Sequence, residues 1–169
     1  MTNPFNPEAG DTPAPLDARD RALAERSAKL IWRAFPYFAW RYAERGRSFG
    51  RSDAGFLVTL AALDEGSARQ QVSWLIGVLA ARGMPSLLME YQLESLGRLM
   101  RSEHRPQPNL FLLLASELRS ARVGVLDVGS FEDCERICLD GARGDARRRG
   151  AGRLIAAATA DRALGIGEH

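Results

Sequence analysis

The chain has 169 residues, 46% of them hydrophobic, which is enough for one domain with its own core. Its formal net charge of +2 excludes a strong overall attraction to nucleic acid or to an anionic membrane. Two cysteines, Cys134 and Cys138, cannot build a disulfide framework, and no apolar run approaches the ~20 residues of a membrane-spanning helix. We therefore expect a cytoplasmic protein without membrane association.

The N-terminal residues 1–15 are rich in proline and polar side chains. Such a composition buries too little apolar surface to order itself, and it predicts a disordered or loosely attached tail. A single all-α domain is expected to follow over residues 16–166.

Apolar residues recur at helical spacing over most of that domain. A first helix begins near Pro15 or Asp17 and must stop or bend before Pro36. A short aromatic segment follows it. Ser52 and Asp53 then predict the N-cap of a third helix, because both residue types bond readily to the free N–H groups of a helix start.

The clearest boundary follows the fourth helix, where Gly83 supplies a C-terminal cap and Pro85 starts the next element. The fifth helix extends from Pro85 or Ser86 to about Ser102. One stripe of this helix is apolar, and it predicts core packing, with a methionine-lined interaction groove as the alternative. The stripe consists of Met89, Leu93, Leu96 and Met100.

Residues 110–122 predict a further helix, whereas residues 123–128 alternate apolar and small side chains as a strand would. A lone strand has nothing to pair with in this chain, so a continued helix or an irregular turn is favoured. A short helix around Phe131 and a final helix around Leu154 complete the pattern. The sequence thus predicts an all-α domain of about seven or eight helices with bundle-like or globin-like packing.

Motifs for catalysis are missing from the sequence. The two histidines, His104 and His169, cannot form a histidine-rich metal site, and neither a phosphate-binding glycine loop nor a serine-hydrolase elbow occurs. Cys134 and Cys138 lie four residues apart, a spacing that would suit part of a metal site or a redox pair. Burial as two small hydrophobic side chains is the interpretation that we favour. The sequence leans towards a protein that is not an enzyme.

The most distinctive stretch is residues 32–56, where eight aromatic side chains are interleaved with five arginines. Aromatic faces and guanidinium forks suit a planar anionic ligand or a single-stranded nucleic acid. The same side chains would also pack as a core, with arginine stems over the ring edges. Residues 41–53 are therefore either an anion site or a helix connection, and we favour the connection.

A second basic cluster lies near the C-terminus, where a solvated loop and a phosphate contact are both compatible with the sequence. It comprises Arg143, Arg147, Arg148, Arg149 and Arg153. No helix carries the basic face of a sequence-specific DNA reader, so nucleic acid is not the expected partner.

Two functions from different classes remain. The first is a non-enzymatic regulatory or scaffold domain that acts through protein–protein interaction, with another protein or by self-association. The second is a sensor domain that binds a small molecule or a tetrapyrrole between its helices, with arginines on the propionates and a histidine on iron. The sequence does not identify the cofactor. The residues predicted to form this pocket are Trp32, Tyr42, Arg47, Phe49, Arg51, Phe56 and His104.

Overall fold

A computed structural model describes residues 3–143 and 145–167 of the chain. Within these ranges every regular element is helical, which confirms the predicted all-α class. The α-helices in chain order are α1 (Ala18–Ala34), α2 (Pro36–Thr59), α3 (Glu65–Ala80), α4 (Ser86–Ser102), α5 (Pro108–Val123), α6 (Val128–Gly141) and α7 (Ala151–Ala163). No helix in the described part of the chain is both long enough and apolar enough to cross a bilayer.

Aspartates cap three of the helices. Asp17 caps α1, as the sequence predicts, while Asp64 caps α3 and Asp127 caps α6. Asp64 and Asp127 each accept hydrogen bonds from the hydroxyl and the backbone N–H of the serine three residues further on. These bonds, led by the one from the serine hydroxyl, hold the pKa of both carboxyls below the usual range. Local chemistry thus sets these helix starts.

Helix α4 is the centre of the fold and contacts α1, α2, α3, α5 and α7. Its predicted apolar stripe is buried, which confirms core packing and excludes an exposed methionine-lined groove. Helix α5 comes close at Gly97, where an added Cβ would lie 3.0 Å from the Pro108 carbonyl oxygen. The absence of a side chain at Gly97 therefore lets α4 and α5 pack backbone to backbone.

One carboxylate is buried in α4 and is neutralised from α5. Glu90 is only 2% exposed, and it forms ion pairs with Arg122 and, at 2.8 Å, with Arg119. The Arg122 guanidinium also lies over the Phe131 ring of α6, 4.6 Å from its centroid. A buried charge is tolerated only when it is paired, so Glu90 specifies how α4 and α5 align.

The second and third predicted helices form one element, so the predicted N-cap at Ser52 and Asp53 is wrong. Helix α2 passes through both residues, and Ser52 is buried. The helix is interrupted earlier, at Ala43, which has φ 47° and ψ −144°. Ser and Asp form a cap only where a helix begins, and the packing of α2 on α1 keeps the helix continuous there.

Residues 124–127 form a turn between α5 and α6, which confirms one of the two conformations that the sequence favours. The following helices, α6 and α7, pack closely at Gly152, where an added Cβ would clash with the backbone of Cys134. Cys134 and Cys138 are free thiols and both are half-buried. No strand occurs in residues 3–143 or 145–167.

The N-terminal segment lies beside α2. The Phe5 ring comes so close to Gly55 that a Cβ at that position would clash with it, and Asn3 and Asn6 are buried. The Asn3 side-chain oxygen accepts a hydrogen bond of 2.9 Å from the Phe5 backbone N–H. These contacts give residues 3–15 a position on the fold, while their loose attachment stays a prediction. The first two residues of the predicted tail lie outside the described ranges.

Replacing Ala43 with glycine should raise the free energy of unfolding. Ala43 has a positive φ and an extended ψ, a conformation that only glycine adopts without strain, so Ala43→Gly should stabilise the protein by about 1 kcal/mol. Ala39→Gly, in regular helix one turn earlier, should destabilise it by about 1 kcal/mol. Urea unfolding of both variants gives the two signs, and destabilisation by Ala43→Gly would contradict the interrupted helix.

Candidate functional site

A cleft of about 480 Å³ opens along α2, between Phe38 and Asp53. Its opposite walls are the turn that follows α3 and the N-terminal segment. The lining residues are Glu8, Phe38, Tyr42, Arg45, Gly46, Phe49, Gly50, Asp53, Arg82 and Met84. The Phe38, Gly50, Asp53 and Met84 side of the cleft also borders a smaller apolar cavity of about 40 Å³ that reaches Trp32 and α4.

One face of α2 supplies most of the cleft. Gly46, Phe49, Gly50 and Asp53 follow one another at spacings of three, one and three residues, which places them on one side of the helix that continues after Ala43. Tyr42 lines the cleft from the residue just before that interruption. Gly46 permits a close approach, because an added Cβ would clash with the Tyr42 Cβ.

The aromatic walls form a continuous run of rings. Phe38 lies between Trp32 and Tyr42, with ring centroids 4.9 and 4.8 Å apart and tilted ring planes. Such tilted contacts fix ring orientation in addition to burying apolar area. The cleft therefore has a rigid aromatic side.

Charged side chains stand at the mouth of the cleft. Arg45 donates a hydrogen bond of 3.0 Å from its Nε to Glu8, and its guanidinium lies 5.7 Å from the centroid of the Phe49 ring. Arg82 is exposed, and its side chain has no hydrogen bond or ion pair within the described part of the chain. Arg45 is therefore neutralised by Glu8, whereas Arg82 is not directly paired.

Asp53 is the most unusual group in the cleft. Its half-buried carboxyl borders both cavities and has no hydrogen bond or ion pair with any residue that the structure describes. Desolvation raises the pKa of Asp53 to about 7, although the positive charge of Arg82 opposes that rise. Near neutral pH the carboxyl can therefore carry either a charge or a proton.

The predicted pocket residues separate into several places. Tyr42 and Phe49 line the cleft, whereas Trp32, Arg47 and Arg51 line a second hollow of about 300 Å³. Phe56 is buried in the core. The side chains predicted to form one pocket thus project from different sides of α1 and α2 and do not converge on one site.

The arginines of the 41–53 segment are largely occupied within that segment. Glu44 lies 3.8 Å from Arg47 and 3.7 Å from Arg51, and the Arg47 guanidinium is 5.7 Å from the Trp32 ring centroid. These are exposed, weak contacts, but they leave no cluster of unneutralised arginines there. The arrangement is that of an exposed helical surface with ion pairs within it.

His104, which was predicted to ligate iron in the pocket, does not line this cleft. It is exposed in the turn after α4, with a φ of 55°, and it is not among the residues that line the cleft. His169 lies outside the described residues. Within residues 3–143 and 145–167, no group of three or more His, Cys, Asp or Glu side chains could hold a metal ion.

Sequence reasoning missed Asp53, Arg82 and Met84 as cleft residues. The signal for Asp53 was present, because it continues the spacing of Tyr42 and Phe49 once α2 is extended through it. Arg82 and Met84 come from the turn after α3, and no local pattern connects that turn with α2. Only tertiary packing brings the two segments together.

The cleft side chains provide features of a binding site. These are aromatic faces, the Asp53 carboxyl and the Arg82 guanidinium, neither of which has a hydrogen bond or ion pair among the described residues, and the exposed ion pair of Glu8 and Arg45. The chain matches no protein-family model, and no curated protein or solved structure is significantly similar to it. Function must therefore be argued from the geometry of this cleft.

Asp53→Asn should stabilise the protein in a pH-dependent way. Burial raises the pKa of Asp53 above its unfolded value of about 3.8, so the folded state holds this proton more tightly. The associated stability is present below about pH 4 and is lost as pH rises to about 7. Asn avoids the buried charge, so Asp53→Asn should stabilise by about 1–3 kcal/mol at pH 8 and much less at pH 5.

Urea unfolding at the two pH values measures this difference. Asp140→Asn, which removes an exposed carboxyl from α6, is the charge-matched control and should have little effect at either pH. A stabilisation by Asp53→Asn that is equal at pH 5 and pH 8 would show that the carboxyl is not desolvated.

Proposed function

We propose that the protein is a small-molecule-binding domain and that its ligand occupies the cleft along α2. The observation that carries this proposal is the unpartnered Asp53 carboxyl inside an aromatic cleft. A few polar groups among apolar walls are typical of ligand sites, and a volume of about 480 Å³ lies within their usual range.

The energetics of Asp53 support a ligand. A carboxyl that is withdrawn from water without a hydrogen-bond partner destabilises the folded state. The buried carboxylates of the described chain have partners: Glu90 is paired with arginines, and Asp161 of α7 accepts a hydrogen bond of 2.7 Å from the Ser86 backbone N–H. The half-buried Asp53 has no such partner, and a ligand that supplies a donor would offset its desolvation.

The ligand that we propose is not the tetrapyrrole that the sequence offered as one possibility. Tyr42 and Phe49 stand where walls of such a pocket were predicted, but His104 does not line it. The cleft favours a smaller molecule, with an apolar part against the aromatic rings and a polar part at Asp53.

Protein–protein interaction in a regulatory or scaffold role is the second candidate function. It is supported by large apolar side chains that remain exposed around α6 and α7, where Val128, Ile137 and Ile155 are each about 60% exposed. The apolar stripe of α4 does not support it, because that stripe is core. The two functions are compatible, since a ligand-binding domain can signal through a second surface.

Titration with the neutral dye Nile red tests the cleft. The wild-type protein should bind it saturably at one site, and Phe49→Ala should weaken that binding about tenfold because an aromatic wall is lost. Trp74→Ala is the matched control, because Trp74 is 56% exposed on α3 and is not among the cleft residues. Circular dichroism confirms that both variants remain helical.

Two results would contradict the proposed function. One is the absence of saturable Nile red binding by the folded wild-type protein. The other is an equal loss of affinity in Phe49→Ala and Trp74→Ala, which would place the dye on exposed surface and not in the cleft.

A further inference from the structure

The charges that line the cleft are not equivalent. Glu8 and Arg45 form an ion pair at the mouth, with side chains 59% and 77% exposed, and so they neutralise each other in water. Asp53 and Arg82 remain as the two charged groups without a direct partner among the described residues. The charge of the ligand depends on which of these two dominates inside the cleft.

Asp53 lies deeper in the cleft than Arg82, so its charge has the larger effect on a bound ligand. Its carboxyl borders the apolar cavity formed with Phe38, Leu79 and Met84, where little water can screen a charge. Arg82 is exposed, and water and salt screen its charge more strongly than that of a group inside the cleft. A charged group that enters the cleft and contacts Asp53 directly therefore experiences mainly the carboxylate.

The aromatic walls add an attraction of the same sign. The face of an aromatic ring carries negative electrostatic potential and attracts cations within about 6 Å. Two rings of this cleft already contact guanidinium groups of the protein itself. The Arg45 guanidinium lies 5.7 Å from the centroid of the Phe49 ring, and the Arg41 guanidinium lies 5.3 Å from the centroid of the Tyr42 ring. These rings stand in the same cleft as Asp53.

We infer that the cleft takes an organic ammonium ion, a protonated amine on an apolar or aromatic body, an inference that rests on the proposed function. The ammonium N–H groups donate hydrogen bonds to the Asp53 carboxylate, and the apolar body packs against Phe38, Tyr42 and Phe49. The ligand supplies the partner that Asp53 lacks in the described structure.

A ligand of opposite charge fits these observations less well. An anion could approach Arg82, but inside the cleft it would meet the Asp53 carboxylate and the negative faces of the rings. It would bind only when Asp53 carries a proton, and its affinity would rise as pH falls. The two charge types therefore differ in the sign of their pH dependence.

Three probes with similar bodies and different charges test the inference by displacement of Nile red at pH 8. They are 2-phenylethylamine as the cation, 2-phenylethanol as the neutral molecule and 3-phenylpropionate as the anion. The wild-type protein should bind the amine about tenfold more tightly than the alcohol, since both can donate a hydrogen bond to the Asp53 carboxylate but only the ammonium adds the attraction of opposite charges.

Two variants locate the effect. Asp53→Asn should bring the ratio of amine to alcohol affinity close to one, whereas Asp140→Asn should leave the tenfold ratio unchanged. At pH 6 the preference of the wild-type protein should shrink several-fold, because Asp53 is then largely protonated. The amine keeps its charge over this range. The other charged side chains that line the cleft are Glu8, Arg45 and Arg82.

The outcomes separate this inference from the proposed function. Equal affinities for amine and alcohol in a protein that still binds Nile red would overturn the ammonium inference and leave ligand binding intact. Tightest binding of 3-phenylpropionate, lost in Arg82→Gln, would overturn it in favour of an anion. A folded wild-type protein that binds no Nile red would remove the proposed function and this inference together.

Discussion

The fold depends on the burial of α4 between the other helices. An amphipathic surface helix needs one apolar face, but α4 contacts five neighbours and must be matched on several sides. Its polar positions are matched by specific partners: Glu90 by the arginines of α5, and the backbone of Ser86 by Asp161 of α7. Because a mismatch at either place would leave a buried charge or N–H group unsatisfied, these pairs define how α5 and α7 are placed around α4.

This arrangement leaves α2 with one side free to form a site. Helix α2 packs mainly on α1, and it is interrupted at Ala43, where the aromatic first part passes into the glycine-containing second part. This second part carries Phe49 and Asp53, which line the cleft. The candidate site is thus a consequence of helix packing, in which a carboxyl is held among aromatic rings by a helix that is itself anchored elsewhere.

The sequence predicted the elements well where the signals are local. Asp17 starts α1, Gly83 and Pro85 separate α3 from α4, and the apolar stripe of α4 identifies the core, because capping and periodicity depend on near neighbours. The prediction at Ser52 and Asp53 was wrong because the same residue types occur both at helix starts and inside helices. Tertiary packing decides between these two situations.

The site was less predictable than the fold for the same reason. The density of aromatic residues in segment 32–56 pointed to α2, and Tyr42 and Phe49 of that helix line the cleft. The partners of that helix, Arg82 and Met84, are some thirty residues away in sequence and no periodicity connects them with it. The desolvation of Asp53 depends on burial in the folded chain, and residues of α1, α3 and α4 border the same small cavity, so no local pattern could indicate it.

The central claim is that Asp53 is a desolvated carboxyl and that the cation it binds is an organic ammonium ion. A carbon-13 NMR titration of the side-chain carboxyls, with and without 2-phenylethylamine, tests it most directly. The account predicts that Asp53 titrates near pH 7 in the free protein and at clearly lower pH when the amine is bound, because the ammonium ion stabilises the charged carboxylate. An Asp53 carboxyl that titrates near pH 4 in the free protein, or whose titration does not move when saturating amine is added, would contradict it.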